Sequence, residues 1–291
     1  MGSTIGERLA ASQDWLDGVA EKVQPKVQEV VEASPRVKNA VDGTWLHTPL
    51  HPALTDVPVG AFTTAVLLDA ADAASGSPVA RHGADAALVV GIAGSLPAAA
   101  TGASDWRTLL GEDRRLGLIH GMANGGALVL YTASLALRLA DRRGAGRALS
   151  TAGFALSAFA AHLGGELSFR RGVRVDRTAW EERPTEYTPV MSESELKGTE
   201  LHRAEVNGAA VLVTRSTDGK ICAIADTCSH LGGPLNEGDR DGDTVACPWH
   251  GSKFDLCSGD VIEGPAVFPQ PAYETRVANG RIEVRERPPA G

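Results

Sequence analysis

Two short stretches, Thr227-Cys228-Ser229-His230-Leu231-Gly232-Gly233 and Ala246-Cys247-Pro248-Trp249-His250-Gly251-Ser252, decide the fold of the C-terminal part of this chain. Together they spell Cys-x-His, sixteen intervening residues, then Cys-x-x-His. Each half offers one thiolate and one imidazole from a turn rich in glycine or proline. Two Cys and two His would suffice for a tetrahedral zinc site, so the ligand count alone does not choose the metal. The surroundings do. A zinc finger puts its histidines on a helix after both cysteines, whereas here each loop pairs its own Cys with its own His.

This arrangement resembles the Rieske family of [2Fe-2S] proteins, whose ligand pattern Cys228, His230, Cys247 and His250 match one for one. The resemblance implies that the two cysteines hold one iron and the two histidines the other, through their ring nitrogens. Two neutral imidazoles in place of two thiolates leave such a cluster less negative, so it accepts an electron more readily than an all-cysteine one. It also implies histidines near the surface, able to gain protons on reduction. In the respiratory branch of the family a disulfide joins the residue before the second-loop His to one in the first loop. Here those places hold Trp249 and Gly233. Ser252 stands where that branch has a serine donating to a sulfide, and Phe254 where it has a tyrosine donor. One donor kept and one lost implies a low to intermediate potential and the ferredoxin-like branch rather than quinol oxidation. Pro248 restricts the second loop, while Gly232, Gly233, Pro234 and Gly251 are expected to bring backbone amides close to sulfur.

The 291 residues have room for two domains, and a net charge of -8 with no basic tract argues against nucleic acid as a partner. Of four cysteines, Cys222 and Cys257 are left over. They read as bystander thiols suited to a reducing compartment. The first residues, from Met1, have no apolar core of a secretory signal, and Gly2-Ser3 is too short a match for an acylation site.

Residues 1–46 read as an amphipathic helical arm, with Leu16, Val19, Val23, Val27, Val30 and Val31 at three- and four-residue steps. Pro25 is expected to kink or divide it. Its mixed charges favour packing on a neighbour over lying on lipid. Within residues 47–172 come four Ala- and Gly-rich apolar stretches, about 53–71, 86–104, 116–138 and 149–168. Each approaches the length needed to cross a bilayer, and the last three show almost no polar face, so a four-helix transmembrane bundle is expected over a soluble one. With four spans the termini share a side. Nine Lys or Arg residues flank that side against five on the other, which predicts a multi-pass protein of the cell membrane with its C-terminal domain facing the cytoplasm. Residues 173–189 form a polar, Pro-containing linker. From 190 to 288 short alternating segments follow Asn207-Gly208, Asp218-Gly219 and Asn279-Gly280, the marks of an all-β unit.

The helical half resembles a family of uncharacterised four-helix bacterial membrane domains. The shared marks are His51-Pro52, Ser104-Asp105-Trp106, His120 and His162-Leu163-Gly164-Gly165-Glu166, over about residues 45–170. His51, His120 and His162, with Glu166, are expected to approach one face of the bundle, and Asn124 lies one turn from His120. Polar groups at such depth are functional suspects. Three roles fit them: a hydrogen-bonded cluster locking helix packing, a haem b or another metal held by two of the histidines, or a quinone site. Without Cys-x-x-Cys-His, any haem is non-covalent.

The leading expectation is a membrane-anchored one-electron carrier, working between a soluble reductase and a partner oxidoreductase or a centre in the membrane domain. The alternatives are a redox or metal sensor, a structural anchor, or the electron-supplying subunit of a multi-component oxygenase. A self-sufficient oxygenase would need a further mononuclear iron site, and no histidine follows His250.

Overall fold

The computed structural model describes residues 3–287. Met1 and Gly2, and Pro288 at the expected domain end, lie outside them. The chain divides into two units, one of residues 1–33 and 50–173, the other of residues 34–49 and 174–291.

The first unit is helical. Thr4 opens α1 (Ile5–Ala11) with a capping box: its hydroxyl accepts the Glu7 N–H and the Glu7 carboxylate accepts the Thr4 N–H at 2.8 Å. Helix α2 (Trp15–Val31) runs through Pro25 without dividing. The four apolar stretches become α4 (Leu50–Ser75), α5 (Pro78–Trp106), α6 (Gly111–Leu139) and α7 (Arg143–Gly165), with α3 described below. Ser77 caps α5 and Pro78 sits at its first position, where a missing N–H costs nothing.

Polarity in this unit is inverted. Val57, Val59, Leu67, Val89, Val90 and Leu96 face outward, while Asp69, Asp72, Ser134, Arg138 and Ser150 are buried. Arg138 pairs with Asp69 and reaches Asp85 at 2.9 Å. Arg143 holds Asp72 at 3.0 Å and Asp85 at 2.9 Å. Burying charge against charge while exposing aliphatic side chains suits lipid surroundings. Among the described residues, α4 and α5 are long and apolar enough to cross a membrane. That is two helices where the sequence suggests four. The charges of α6 (Glu112, Asp113, Arg114, Arg115) and α7 (Arg143, Arg147) lie before the other two stretches. Within them glycines with His120 and Asn124 in α6, and glycines and serines with His162 in α7, lower the mean hydropathy.

The second unit is a nearly closed antiparallel β-barrel with a smaller sheet. Its strands are β1 (Thr188–Ser192), β2 (His202–Val206), β3 (Ala209–Arg215), β4 (Ile221–Ala225), β5 (Asp239–Asp241), β6 (Thr244–Ala246), β7 (Lys253–Asp255), β8 (Val261–Glu263), β9 (Ala272–Ala278) and β10 (Arg281–Glu286). The larger sheet runs β1-β10-β9-β4-β3-β2, and its edge strands β1 and β2 come together. The smaller runs β5-β6-β7-β8. Asn207 and Asn279 both take φ of 53°, as tight hairpin turns with a following glycine require.

Two sequence expectations change here. Residues 34–49, read as the end of an N-terminal arm, group with the barrel. Helix α3 (Pro35–Asp42), capped by Ser34 and ended by Gly43 at φ 85°, packs on β8. Lys38 pairs with Glu263 at 3.0 Å, the Asn39 amide donates to the Ile262 carbonyl, and Asn39 Oδ1 accepts the Gly264 N–H. Cys222 and Cys257 are not bystander thiols: they form a disulfide closing 35 residues of chain. Cys222 lies on β4 and Cys257 just beyond β7, a pairing that sequence spacing does not reveal.

Candidate metal centre

The first loop leaves β4 and the second joins β6 to β7. Both are folded by the same two hydrogen bonds. The Cys228 carbonyl accepts the Gly232 N–H at 2.9 Å, and the Cys228 N–H donates to the Gly233 carbonyl at 2.8 Å. The Cys247 carbonyl accepts the Gly251 N–H at 2.9 Å, and the Cys247 N–H donates to the Ser252 carbonyl at 2.8 Å. Gly232 at φ 86° and Gly251 at φ 70° turn each loop in the left-handed region that a side chain resists.

This brings all four expected ligands together. Cys228 and Cys247 are buried, outside any disulfide and in contact through their sulfurs. Accepting the Cys228 S–H, together with the Trp249 and His250 amides, lowers the Cys247 thiol to about 7 against the effect of burial. Donating that proton and being buried push Cys228 up. Amides of His230 and Leu231 point at the Cys228 sulfur. The rings of His230 and His250 stand 5.1 Å apart at 89°. Two imidazoles bound to one ion at a tetrahedral angle, with metal–nitrogen bonds of about 2 Å, put their centroids roughly 5 Å apart. The residues present fit a cluster with two sulfur and two nitrogen ligands.

His250 is half-buried, as expected near the surface, but His230 is only 5% exposed. Val175 from the expected linker and the segment Pro265–Phe268 line its side. That segment went unrecognised in the sequence. It buttresses both loops: Ser229 Oγ donates to the Phe268 carbonyl at 2.7 Å, and the Ala266 N–H donates to Ser252 Oγ at 2.9 Å. Gly264-Pro265 between two strands was the available signal. The linker is not loose either, since the Arg177 N–H donates to the Ser229 carbonyl.

Around the ligands, a Cβ on Gly233 would stand 2.8 Å from Cys247 Sγ and 3.0 Å from the Trp249 ring. Positions 233 and 249 therefore face each other, with an indole against a glycine. Trp249 is 57% exposed beside His250, Pro248 is exposed, and Phe254 is fully buried in the core under the loops.

Comparison with known proteins agrees with this geometry. The family described as Rieske [2Fe-2S] domain matches residues 186–274. The Ferredoxin CarAc of Metapseudomonas resinovorans is 33% identical over 95 residues, 33% of this chain and 89% of that protein. The chain belongs to the Rieske [2Fe-2S] family. Its Rieske domain is fused to an N-terminal domain, residues 47–177, matching the family described as Predicted membrane protein (DUF2231). A second relative is the ferredoxin component of the naphthalene 1,2-dioxygenase/salicylate 5-hydroxylase systems of Ralstonia sp, 26% identical over 28% of this chain and 77% of that protein. A solved complex of reduced oxygenase and oxidized ferredoxin in carbazole 1,9a-dioxygenase contains a chain 30% identical, covering 35% of this chain and 97% of that one, with a TM-score of 0.33. The Rieske domain thus resembles the electron-transfer components of multi-component oxygenase systems, and one [2Fe-2S] cluster is its cofactor.

The helical unit does not gather all its expected residues. His51 and His120 meet, with ring centroids 6.3 Å apart, and the Asn124 amide lies 3.3 Å from His120 Nε2. His162 faces outward, exposed, and joins neither. Glu166 is taken by α1: its carboxylate accepts the Thr4 hydroxyl and the Gly6 N–H at 3.3 Å.

Proposed function

We propose that this chain is a membrane-held, ferredoxin-like carrier that takes single electrons from a soluble reductase and delivers them to the oxygenase component of a multi-component system. Cys228 and Cys247 hold one iron, and His230 and His250 hold the other. The observation that carries this reading is the matched pair of loops, with two thiols in contact and two imidazoles 5.1 Å apart. When bound, the [2Fe-2S] group supplies a one-electron couple.

The chain's own residues do the rest. Four amides, of His230, Leu231, Trp249 and His250, stabilise the thiolates. Ser252, whose oxygen accepts from Ala266, keeps its own proton to donate. Gly233 and Trp249 in place of a clamp leave the second loop without a covalent tie to the first. Trp249 and His250 form the exposed edge where a partner docks, and a large aromatic at that edge suits a transient contact.

Helices α4 to α7 all span the membrane in this reading, because the outward apolar face and buried ion pairs continue through α6 and α7. The excess of Lys and Arg supports a Rieske domain on the cytoplasmic side. One observation favours the opposite side: the Cys222–Cys257 disulfide, since such bonds are uncommon in a reducing compartment. A reporter fused after Arg287 that is active only in the cytoplasm separates the two topologies.

Electron transfer is tested with detergent-purified protein mixed rapidly with a flavin-dependent NADH:ferredoxin reductase. The expected result is bleaching of the [2Fe-2S] absorption and a reduced-state EPR signal of low average g, both lost in Cys228→Ser and His250→Ala. A fully folded preparation containing only zinc would overturn the cluster assignment. A loaded protein that dithionite reduces but no such reductase does would overturn the carrier role.

A further inference from the structure

The helical unit repeats itself. His51 and His120 are 69 residues apart, as are Phe62 and Tyr131, and Asp69 and Arg138. These lie on α4 and α6. On the helices that follow, α5 and α7, Gly91 and Gly153, Ala98 and Ala160, and Gly102 and Gly164 are each 62 residues apart. Every equivalence is realised as a contact. The Phe62 ring lies on Gly91 and the Tyr131 ring on Gly153. His51 Nδ1 is 2.8 Å from the Ala98 carbonyl with its ring against Gly102, and His120 Nδ1 is 2.8 Å from the Ala160 carbonyl with its ring against Gly164. Across the middle, equivalent residues meet each other. Phe62 and Tyr131 stack at 3.6 Å, Asp69 pairs with Arg138, and His51 stands 6.3 Å from His120. Helices α4–α5 and α6–α7 are two copies of one hairpin about an approximate two-fold axis, and both histidines sit at that axis.

Their tautomers follow from their partners. A carbonyl only accepts, so each Nδ1 carries the hydrogen and each Nε2 keeps its lone pair. A ring so anchored through its other nitrogen is prepared for metal ligation. The Asn124 amide, 3.3 Å from His120 Nε2, donates to that lone pair. Asn124 is exposed, and its amide also donates to the His120 carbonyl at 3.1 Å.

We propose that His51 and His120 are the two axial ligands of a non-covalently held haem. Two imidazoles in trans on one iron, with bonds of about 2 Å, place their centroids roughly 6 Å apart, against roughly 5 Å on a bare tetrahedral ion. The pair measures 6.3 Å, while His230 and His250 measure 5.1 Å. Among the described residues no third Cys, His, Asp or Glu completes a metal-binding group there. A bare ion would therefore have two protein ligands, whereas a porphyrin brings four nitrogens and needs two more. With both axial positions filled, such an iron carries electrons and does not bind substrate. This site is independent of the carrier role proposed for the Rieske domain.

The test is a hemin titration of full-length, detergent-purified protein whose [2Fe-2S] absorption shows full loading. One haem per chain is expected, with a sharp α-band in the dithionite-reduced spectrum and a low-spin ferric EPR signal. His51→Ala and His120→Ala should each abolish both signals and leave the Rieske EPR signal, and His162→Ala should change neither. His51→Asn and His120→Asn keep an N–H for the Ala98 and Ala160 carbonyls, so their loss of haem with unchanged thermal unfolding excludes misfolding as the cause. No stoichiometric uptake by wild type, uptake that survives both alanine variants, or a stoichiometric bare ion lost in them would each overturn the proposal.

Discussion

Ser252 Oγ accepts the backbone N–H of Ala266 at 2.9 Å, tying the second ligand loop to the segment beneath it. Ser252 is fully buried, so Ser252→Ala leaves that N–H without an acceptor. The expected cost is about 1–3 kcal/mol in thermal unfolding of the loaded protein. The lost hydroxyl donor should also lower the midpoint potential in a redox titration.

Gly233→Ala should damage the site without touching a ligand. Its Cβ would come within 2.8 Å of Cys247 Sγ and 3.0 Å of Trp249, and neither is the loose end of a flexible chain. About 1–3 kcal/mol of destabilisation and reduced iron content per chain are expected. Gly233→Ala combined with Trp249→Ala should recover part of the stability but leave the clash with sulfur.

Glu263 gives the Rieske domain an acid-sensitive anchor. Burial opposes its ionisation, but Lys253 at 2.9 Å and Lys38 at 3.0 Å outweigh it and hold its pKa below the ordinary 4.5. A depressed carboxylate contributes stability above its unfolded pKa and loses it as pH falls through the folded one. Unfolding temperature should therefore drop more steeply below pH 4.5 in wild type than in Glu263→Gln, which should cost about 1 kcal/mol at pH 7.

Cys222 and Cys257 should resist alkylation in unreduced, denatured protein, with mass spectrometry finding them linked. Cys222→Ser with Cys257→Ser should lower stability by about 4 kcal/mol for a closed loop of 35 residues. Two alkylated cysteines in protein taken directly from cells would remove the disulfide and its argument for an oxidising side.

Asp69→Ala would leave Arg138, 7% exposed, without its closest partner. A cost of about 3–5 kcal/mol is expected in detergent, because a buried guanidinium is then only partly neutralised by Asp85. Restoring stability with Asp69→Ala plus Arg138→Met would show that the cost lies in the unpaired charge.

What could be read from sequence was local. The ligand loops announce themselves because Cys and His lie within two or three residues of each other among glycines that force the turn. The Asn207-Gly208 and Asn279-Gly280 hairpins did so for the same reason. What escaped depended on rotation or on distance along the chain. His162 lies two positions after Ala160, which receives His120, and two helical steps of about 100° carry it to the outer face. Glu166 looked like a partner for histidine because nothing local shows that α1 returns to it. Lys38 and Asn39 read as part of a helical arm packed on a neighbour, but which neighbour is not local: their partners lie more than 220 residues later. The repeat in the helical unit hides because its copies share contacts more than residue types: Phe62 answers Tyr131, and Asp69 answers its opposite in charge, Arg138.

The placement of α3 has a consequence for how this protein is made. Residues 34–49 leave the ribosome before the four long helices, yet their partners Ile262 to Gly264 follow more than 220 residues later, after those helices. The Rieske domain therefore holds one of its pieces in waiting while the membrane helices are built. A fragment starting at Arg174 would lack that piece, and supplying residues 34–49 as a separate peptide should restore what the fragment has lost.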